Sequence, residues 1–453
     1  MLPSQRALGA GCFVLALAIL LAPALWNGFP LLQWDSGGYI ARAFEPYLVP
    51  SRSVVYGYFA AAGWPLNYWP VVLVQAAATA FVIGLALRAF DLDARPLLLP
   101  AIVLALSIVT TLPLIAGAIL TDIFAGISVV GLHLLVFEAD RLDTLERFLL
   151  TLLIAFAAAS HSATLTVLAG LLALGLAVWL LARAAVPGAG LARGAVAVAF
   201  GVALLLAGNH AVTRRLTWTP GGTGILFGRM LQAGIVHRYL ADHCPDPGLR
   251  LCAHRDEIPQ NADEFLWGQG VFDRLGRFEG LGDEMATIVR GALLDYPLLQ
   301  IKAAAEATAA QLVKVASGEG VLNSIWHTYA IIERDTPRAL PAMRAARQQR
   351  GEIGFETINR LHVPVALLSI ALLPGLIWLG VARPAYGDLA ALGTTVAATL
   401  LLNAFVCGAL ANPHDRYGAR MVWVASFAIL LASCRWVRQR APQGAAAVPH
   451  GTG

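Results

Sequence analysis

The chain has 453 residues, of which 58% are hydrophobic and only 13% charged, and a formal net charge of +4. Soluble domains carry about 25% charged residues, so a mean hydropathy of +0.67 excludes an ordinary water-soluble globule and makes lipid the principal solvent. Basic residues are scattered with no interleaved aromatic stripe, which excludes nucleic acid as a partner, and five cysteines are too few for a disulfide scaffold.

Apolar stretches fall near 7–26, 69–90, 97–115, 121–137, 148–160, 163–182, 193–212, 362–382, 388–410 and 421–437. Most approach the roughly 20 residues that a helix needs to cross a hydrocarbon core. The expected fold class is therefore an all-α polytopic membrane protein with about ten transmembrane helices. The first stretch imitates a signal peptide, with Arg6, an apolar run and Ala22-Pro23-Ala24. The run is long for a signal core, so it reads as a retained first helix.

The segments order as an N-terminal transmembrane module, 1–212, whose first external loop is 27–68. A polar segment follows at 213–360, then C-terminal transmembrane helices at 361–437 and a disordered cytoplasmic tail at 438–453. With the N-terminus inside, alternate loops hold Arg88 and Arg95, Arg141 and Arg147, Arg183 and Arg193, Arg383, then Arg435, Arg438 and Arg440. The positive-inside rule then places both termini in the cytoplasm and 213–360 outside. Lys302 and Lys314 are the only lysines among 32 basic residues. That bias, with abundant Ala, Gly and Leu, points to a GC-rich bacterium and hence to its inner (plasma) membrane, with the polar segment in the periplasm.

Cys244 and Cys252 in the external segment are spaced for a small loop, and an oxidising exterior favours a bridge over two free thiols. Cys12, Cys407 and Cys434 lie in apolar runs and read as small core residues. The stretch 281–318 repeats apolar residues at helical spacing. It reads as one or two amphipathic helices lying on the membrane face or packing on the external segment.

Ionisable residues near the membrane gather on one side. Asp35 follows the first helix, Asp122 opens the fourth, His161 sits in the turn between the fifth and sixth, and His414, Asp415, Arg416 and Arg420 precede the tenth. Each has an ordinary alternative: Asp35 and Asp122 as caps or turn residues, His161 as an interfacial histidine, Arg416 and Arg420 as phosphate-facing snorkels. Helix middles are almost free of charge, unlike those of a proton-coupled pump or ion-driven transporter.

Residues 34–63, WDSGGYIARAFEPYLVPSRSVVYGYFAAAG, resemble the first external loop of GT-C superfamily glycosyltransferases that use polyprenyl-phosphate sugars. Asp35, Tyr39, Arg52 and Tyr56 take the places of the acid, the tyrosine and the interfacial Arg and Tyr of that loop. Asp122 matches the family's second acid, and Arg416-Tyr417 resembles an Arg-Tyr pair before a late helix. The chain departs from many members in lacking prolines after Tyr417 and in offering only His161 where they place a mid-chain basic residue.

The resemblance implies a GT-C-like bundle that transfers sugar from a polyprenyl-phosphate-linked donor to a glycan, lipid or protein acceptor on the periplasmic face. Asp35 would be the general base, with a pKa raised at the mouth of a partly dry cavity. Asp122 would be the second catalytic acid, or would share a divalent cation, Mg or Mn, with Asp35; no metal ligand set is assigned. Arg416 would bind the donor phosphate first, with His161, His414 and Arg420 behind it. Tyr39, Arg52, Tyr56 and Tyr417 would line the substrate, and apolar faces near 51–63 would border a groove open to membrane lipids. The competing readings are a transporter or lipid flippase, an envelope-polymer ligase or polymerase of another family, and a non-catalytic receptor.

Overall fold

The computed structural model describes residues 3–440 except Ala94, Ala184 and Pro220. It is all-helical, with no strand among the described residues. Helix α1 (Pro3–Asn27) leads into a loop carrying α2 (Ser36–Ala41) and α3 (Val54–Gly63). Then come α4 (Trp69–Ala89), α5 (Leu98–Val109), the short α6 (Leu112–Ala116), α7 (Asp122–Phe137), α8 (Thr144–Ser160), α9 (Ser162–Leu181) and α10 (Gly188–Thr213). The polar segment forms α11 (Gly222–Gln232), α12 (Ile235–His243), α13 (Ala262–Trp267), α14 (Val271–Arg274), α15 (Arg277–Asp295), α16 (Pro297–Val313), α17 (Trp326–Asp335) and α18 (Leu340–Ala345). The chain returns through α19 (Phe355–Ala382), α20 (Gly387–Ala404), a π-helical turn at Phe405–Ala409, and α21 (Asp415–Arg440).

Every apolar stretch of the sequence coincides with a helix. Seven of those among the described residues are long and apolar enough to cross a membrane. The stretches at 97–115, 121–137 and 148–160 form the shorter α5–α6, α7 and α8. Helix α8 starts earlier than its apolar run because Asp143 and Glu146 form a capping box, each side chain accepting the other's backbone N–H at 2.9 Å. Helix α19 also starts before its apolar run, so the polar segment ends at 354. Residues 438–440 belong to α21, while 441–453 lie outside the described residues.

Helix ends meet in two sets. At one end, Leu31 pairs with the 117–119 backbone, Ser53 Oγ donates to Ala159 O at 2.8 Å, and Asn359 exchanges hydrogen bonds with Ser317. At the other, Arg88 pairs with Glu146, Arg435 reaches Asp388 at 2.5 Å and Phe90 O at 2.8 Å, and Arg141 reaches Asp91 at 2.6 Å. The apolar helices thus run back and forth, and the start of α1 and the finish of α21 share the second, arginine-rich end.

Two cores have different origins. Phe227, Met230, Phe265, Phe272, Leu281, Met285 and Ile288 build a separate core in the polar segment, where burial from water stabilises by about 1.5–3 kcal/mol per large side chain. Helix α15 packs its apolar side there, whereas α16 lies against α20 and the π turn. Lipid supplies no such drive between bundle helices, which rely on close approach of small residues. At Gly201 of α10 an added Cβ would stand 2.6 Å from Ala158 Cβ and 2.8 Å from Ala155 O of α8.

Cys244 and Cys252 are bonded as a disulfide within the polar segment. Cys12 and Cys407 are buried thiols, and Cys434 is partly buried.

Candidate functional site

At the end of the bundle that carries the polar segment, a cavity of about 870 Å³ opens between α2, the 45–52 loop, α9, the π turn, α13 and the start of α21. Asp35, Arg52, His161, His414, Arg416 and Tyr417 all reach its wall. They come from four separate regions of sequence.

Asp35 occupies the N-cap position of α2, yet its side chain makes no capping hydrogen bond. Its carboxylate is held between two guanidiniums instead: Oδ1 pairs with Arg52, and Oδ2 accepts from Arg416 Nη1 at 2.5 Å. Gln33 braces the pair, its Oε1 accepting from Asp35 N at 2.9 Å and from Arg416 Nη1 at 3.3 Å. Burial alone would raise the Asp35 pKa, but Arg416 and Arg52 outweigh it and hold the carboxyl well below the usual carboxylate range. The sequence expectation of a raised pKa is corrected on this point. At rest Asp35 is an ionised, weakly basic anion.

Asp122 lies one layer deeper. Thr121 holds the N-cap position of α7 without a side-chain cap, so Asp122 is not the cap. Its carboxylate sits 3.3 Å from Arg416 Nε and 3.6 Å from Arg420 Nη1 and is nearly fully buried. These are charge contacts without aligned hydrogen bonds: Asp122 Oδ1, Arg416 Nε and Arg420 Nε make none among the described residues. Asp122 does not reach the cavity. The guanidinium of Arg416 stands between Asp35 and Asp122, so the two carboxylates do not fit a shared divalent cation. The described residues also contain no His, Cys, Asp or Glu group arranged to hold an ion.

Arg420 is wholly buried, donating to Asn403 Oδ1 at 3.1 Å and to Cys407 Sγ at 3.3 Å. Its Nη1 lies 3.4 Å from His161 Nδ1. Because arginine only donates, Nδ1 is the acceptor, and the neutral ring carries its proton on Nε2. Burial, Arg420, Arg416 and Arg52 together push the His161 pKa well down. His161 therefore meets the cavity as a neutral N–H donor rather than as a cation, and Arg420 acts from behind it.

His414 is the reverse case. Burial lowers its pKa, but Asp263 (3.3 Å from Nε2) and Glu319 (2.9 Å from Nδ1) raise it to about 9. Its charge is committed to those two carboxylates. Glu319 also accepts the Arg416 backbone N–H at 2.8 Å, anchoring the first turn of α21. Tyr417 lies beneath both arginines, with Arg416 and Arg420 5.5 and 5.4 Å from its ring centre.

Tyr39 and Tyr56 are buried below the cavity and do not line it. Tyr39 Oη bonds Thr121 Oγ1 at 3.3 Å and packs edge-on against Tyr56, whose Oη donates to Gln75 at 2.9 Å. They form the floor on which Arg52 rests, 5.7 Å over the Tyr39 ring. Helix α3 likewise buries one side among its neighbours. Apolar lining residues come instead from several other elements, among them Ala163 of α9, Ile225 of α11, Ile331 of α17 and Val406 and Leu410 around the π turn.

Sequence reasoning passed over Glu319, Asp263 and Gln33. Glu319 had a local signal: it stands between Gly318 and Gly320, both with positive φ, 92° and 80°. A side chain at Gly320 would meet Gln33 at 2.4 Å. An acid flanked by two such glycines marks a loop bent to deliver a carboxylate.

The chain matches no protein-family model, no curated protein and no solved structure.

Proposed function

We propose that the protein is a membrane glycosyltransferase of GT-C type. It would move a sugar from a polyprenyl-phosphate donor to an acceptor hydroxyl on the periplasmic face of a bacterial inner membrane. The observation that carries this reading is the Asp35 carboxylate held between Arg52 and Arg416 in a large cavity lined by both polar and apolar residues. In the proposed orientation about ten helices span the bilayer. The arginine-rich end, with both termini, faces the cytoplasm in accord with the positive-inside trend.

In the reaction the acceptor oxygen attacks the anomeric carbon, the bond from that carbon to the phosphate oxygen breaks, and the phosphate leaves with the electron pair. Asp35 takes the acceptor proton. Arg416 and Arg52 are the cations placed to meet charge developing on the phosphate, and His161 adds an N–H donor. Transfer and base activation are linked: as the guanidiniums turn to the phosphate, Asp35 loses its counter-charges and its basicity rises. Asp122 and Arg420 position Arg416 from behind. Attack from the face opposite the phosphate inverts the anomeric centre.

A transporter would place acids or broken backbone at mid-membrane. Among the described residues Asp and Glu within the apolar helices sit in terminal turns, as Asp122 and Asp388 do.

The test is Asp35→Asn and Asp35→Ala in cells that make the protein, with envelope glycans and glycolipids compared by mass spectrometry. Loss of one glycan species is expected. Wild-type glycans with either variant present in the membrane would overturn the reading.

A further inference from the structure

The cavity has a feature that the transfer step leaves unused. Trp34, Tyr47 and Trp267 line the cavity, yet keep 39%, 53% and 50% of their surface exposed. Large aromatic faces held open inside a concavity mark a ligand site rather than a core.

Their backbones and rings are fixed in place. Trp34 donates its N–H to Gly320 O at 3.1 Å and accepts from His327 Nε2 at 2.8 Å on its carbonyl. Trp267 lies one helical turn beyond Asp263 on α13, so the two share a face, and the contact of Asp263 with His414 brings that face over the cavity. The Trp267 ring is braced by Phe278, centroids 6.1 Å apart. Tyr47 has the Arg42 guanidinium 5.2 Å from its ring centre. Asp35, Glu45 and Asp263 line the same cavity.

We infer that this part of the cavity is an acceptor subsite for a pyranose, which stacks its C–H face on Trp34 or Trp267 and turns its hydroxyls to the carboxylates. This rests on the glycosyltransferase reading and narrows the acceptor to a glycan or glycolipid sugar. The ring C–H groups of a pyranose are weakly electropositive and complement the negative face of an indole. Its hydroxyls need acceptors in a fixed arrangement, which carboxylates supply. A polyprenyl tail calls for apolar surface, and the cavity offers that at other residues, Ala163, Val406 and Leu410 among them. Asp35, the next residue after Trp34, lines the same cavity, so a sugar stacked on Trp34 would bring its hydroxyls toward the base.

The experiment uses the full chain in nanodiscs with four probes: the methyl glycosides of glucose, mannose, galactose and N-acetylglucosamine. Saturation-transfer NMR should show contact to ring protons of at least one of them. Trp34→Ala and Trp267→Ala should each weaken its binding about ten-fold, while the phenylalanine variants stay within about three-fold of wild type. Trp378→Ala, on the exposed side of α19, should change nothing. A polyprenyl-phosphate-linked hexose should leave the bound glycoside in place. The inference is overturned if no glycoside binds, if the Trp378 variant weakens binding equally, or if the lipid-linked hexose displaces the glycoside. It is also overturned if brominated lipids quench Trp34 and Trp267, which would make them membrane anchors. Binding and Asp35-dependent glycans are separate readouts. Absent binding with glycans still dependent on Asp35 defeats this inference alone, and glycans indifferent to Asp35 defeat the transfer reading.

Discussion

Asp35 Oδ2 and Arg416 Nη1 lie 2.5 Å apart although 381 positions separate them in the chain. Removing the guanidinium leaves a mostly buried carboxylate with Arg52 alone and removes the first phosphate donor. Arg416→Gln should lower glycan product at least 10²-fold, the usual loss for one fixed donor at developing charge. Arg416→Lys should recover only part, because an ammonium cannot reach Asp35 and Asp122 at once. Product yield per membrane-inserted protein, by mass spectrometry, checks both.

Asp35 and Asp122 should fail in different ways. Asp122 sits against two arginines, so Asp122→Asn strands buried cations and should cost about 3 kcal/mol or more of stability. Asp35→Asn leaves a partly exposed site and should abolish product with a far smaller change in thermal unfolding. Melting curves in detergent alongside product assays separate the positioning role from the proton-accepting one. Equal destabilisation by both would remove the distinction.

The His414 contacts make the polar segment pH-sensitive. Its folded pKa, about 9, lies above the ordinary value near 6.5. The stabilisation is therefore complete below pH ~6.5 and lost as pH rises through about 9. Hydrogen exchange of residues 317–321 and of α13 should quicken over that window. His414→Gln should exchange at the fast rate throughout, and a flat wild-type profile would refute the assignment.

Cys244→Ser should loosen the 244–257 loop. The bridge closes a short loop between residues eight apart, worth about 2–3 kcal/mol by the chain-entropy account. Protease sensitivity of the polar segment should rise, while glycan output falls less than two-fold at permissive temperature. The loop is also expected to be accessible from the periplasm. Protease added to right-side-out vesicles should cut the variant, and cleavage only after lysis would reverse the proposed orientation.

Apolar run length revealed where helices lie, because a lipid-facing helix needs little besides a sustained hydrophobic stretch. It misjudged where α8, α19 and α21 begin. The first turns of α21 carry Asp415, Arg416 and Arg420, whose charges depress hydropathy while their partners, Ala316 N at 2.9 Å and Asn403 among them, keep the turn helical. The acids and arginines of the site were readable as a group gathered at one end of the helices. Their layering was not: Asp35 and Asp122 look alike in sequence, and only packing puts one on the cavity wall and the other behind Arg416. The protonation of His161 and His414 was equally hidden, since it depends on whether arginines or carboxylates face the ring.

The back-and-forth path of the chain also imposes an order of assembly. Asp35, Arg52 and Asp122 emerge early in synthesis, whereas Arg416 and Arg420 arrive on the final helix. A nascent chain must shelter or hydrate Asp122, and hold Asp35 with Arg52 alone, until α21 has been inserted. Truncation anywhere before α21 would leave a membrane-bound but charge-unbalanced stub, a natural target for quality-control proteolysis.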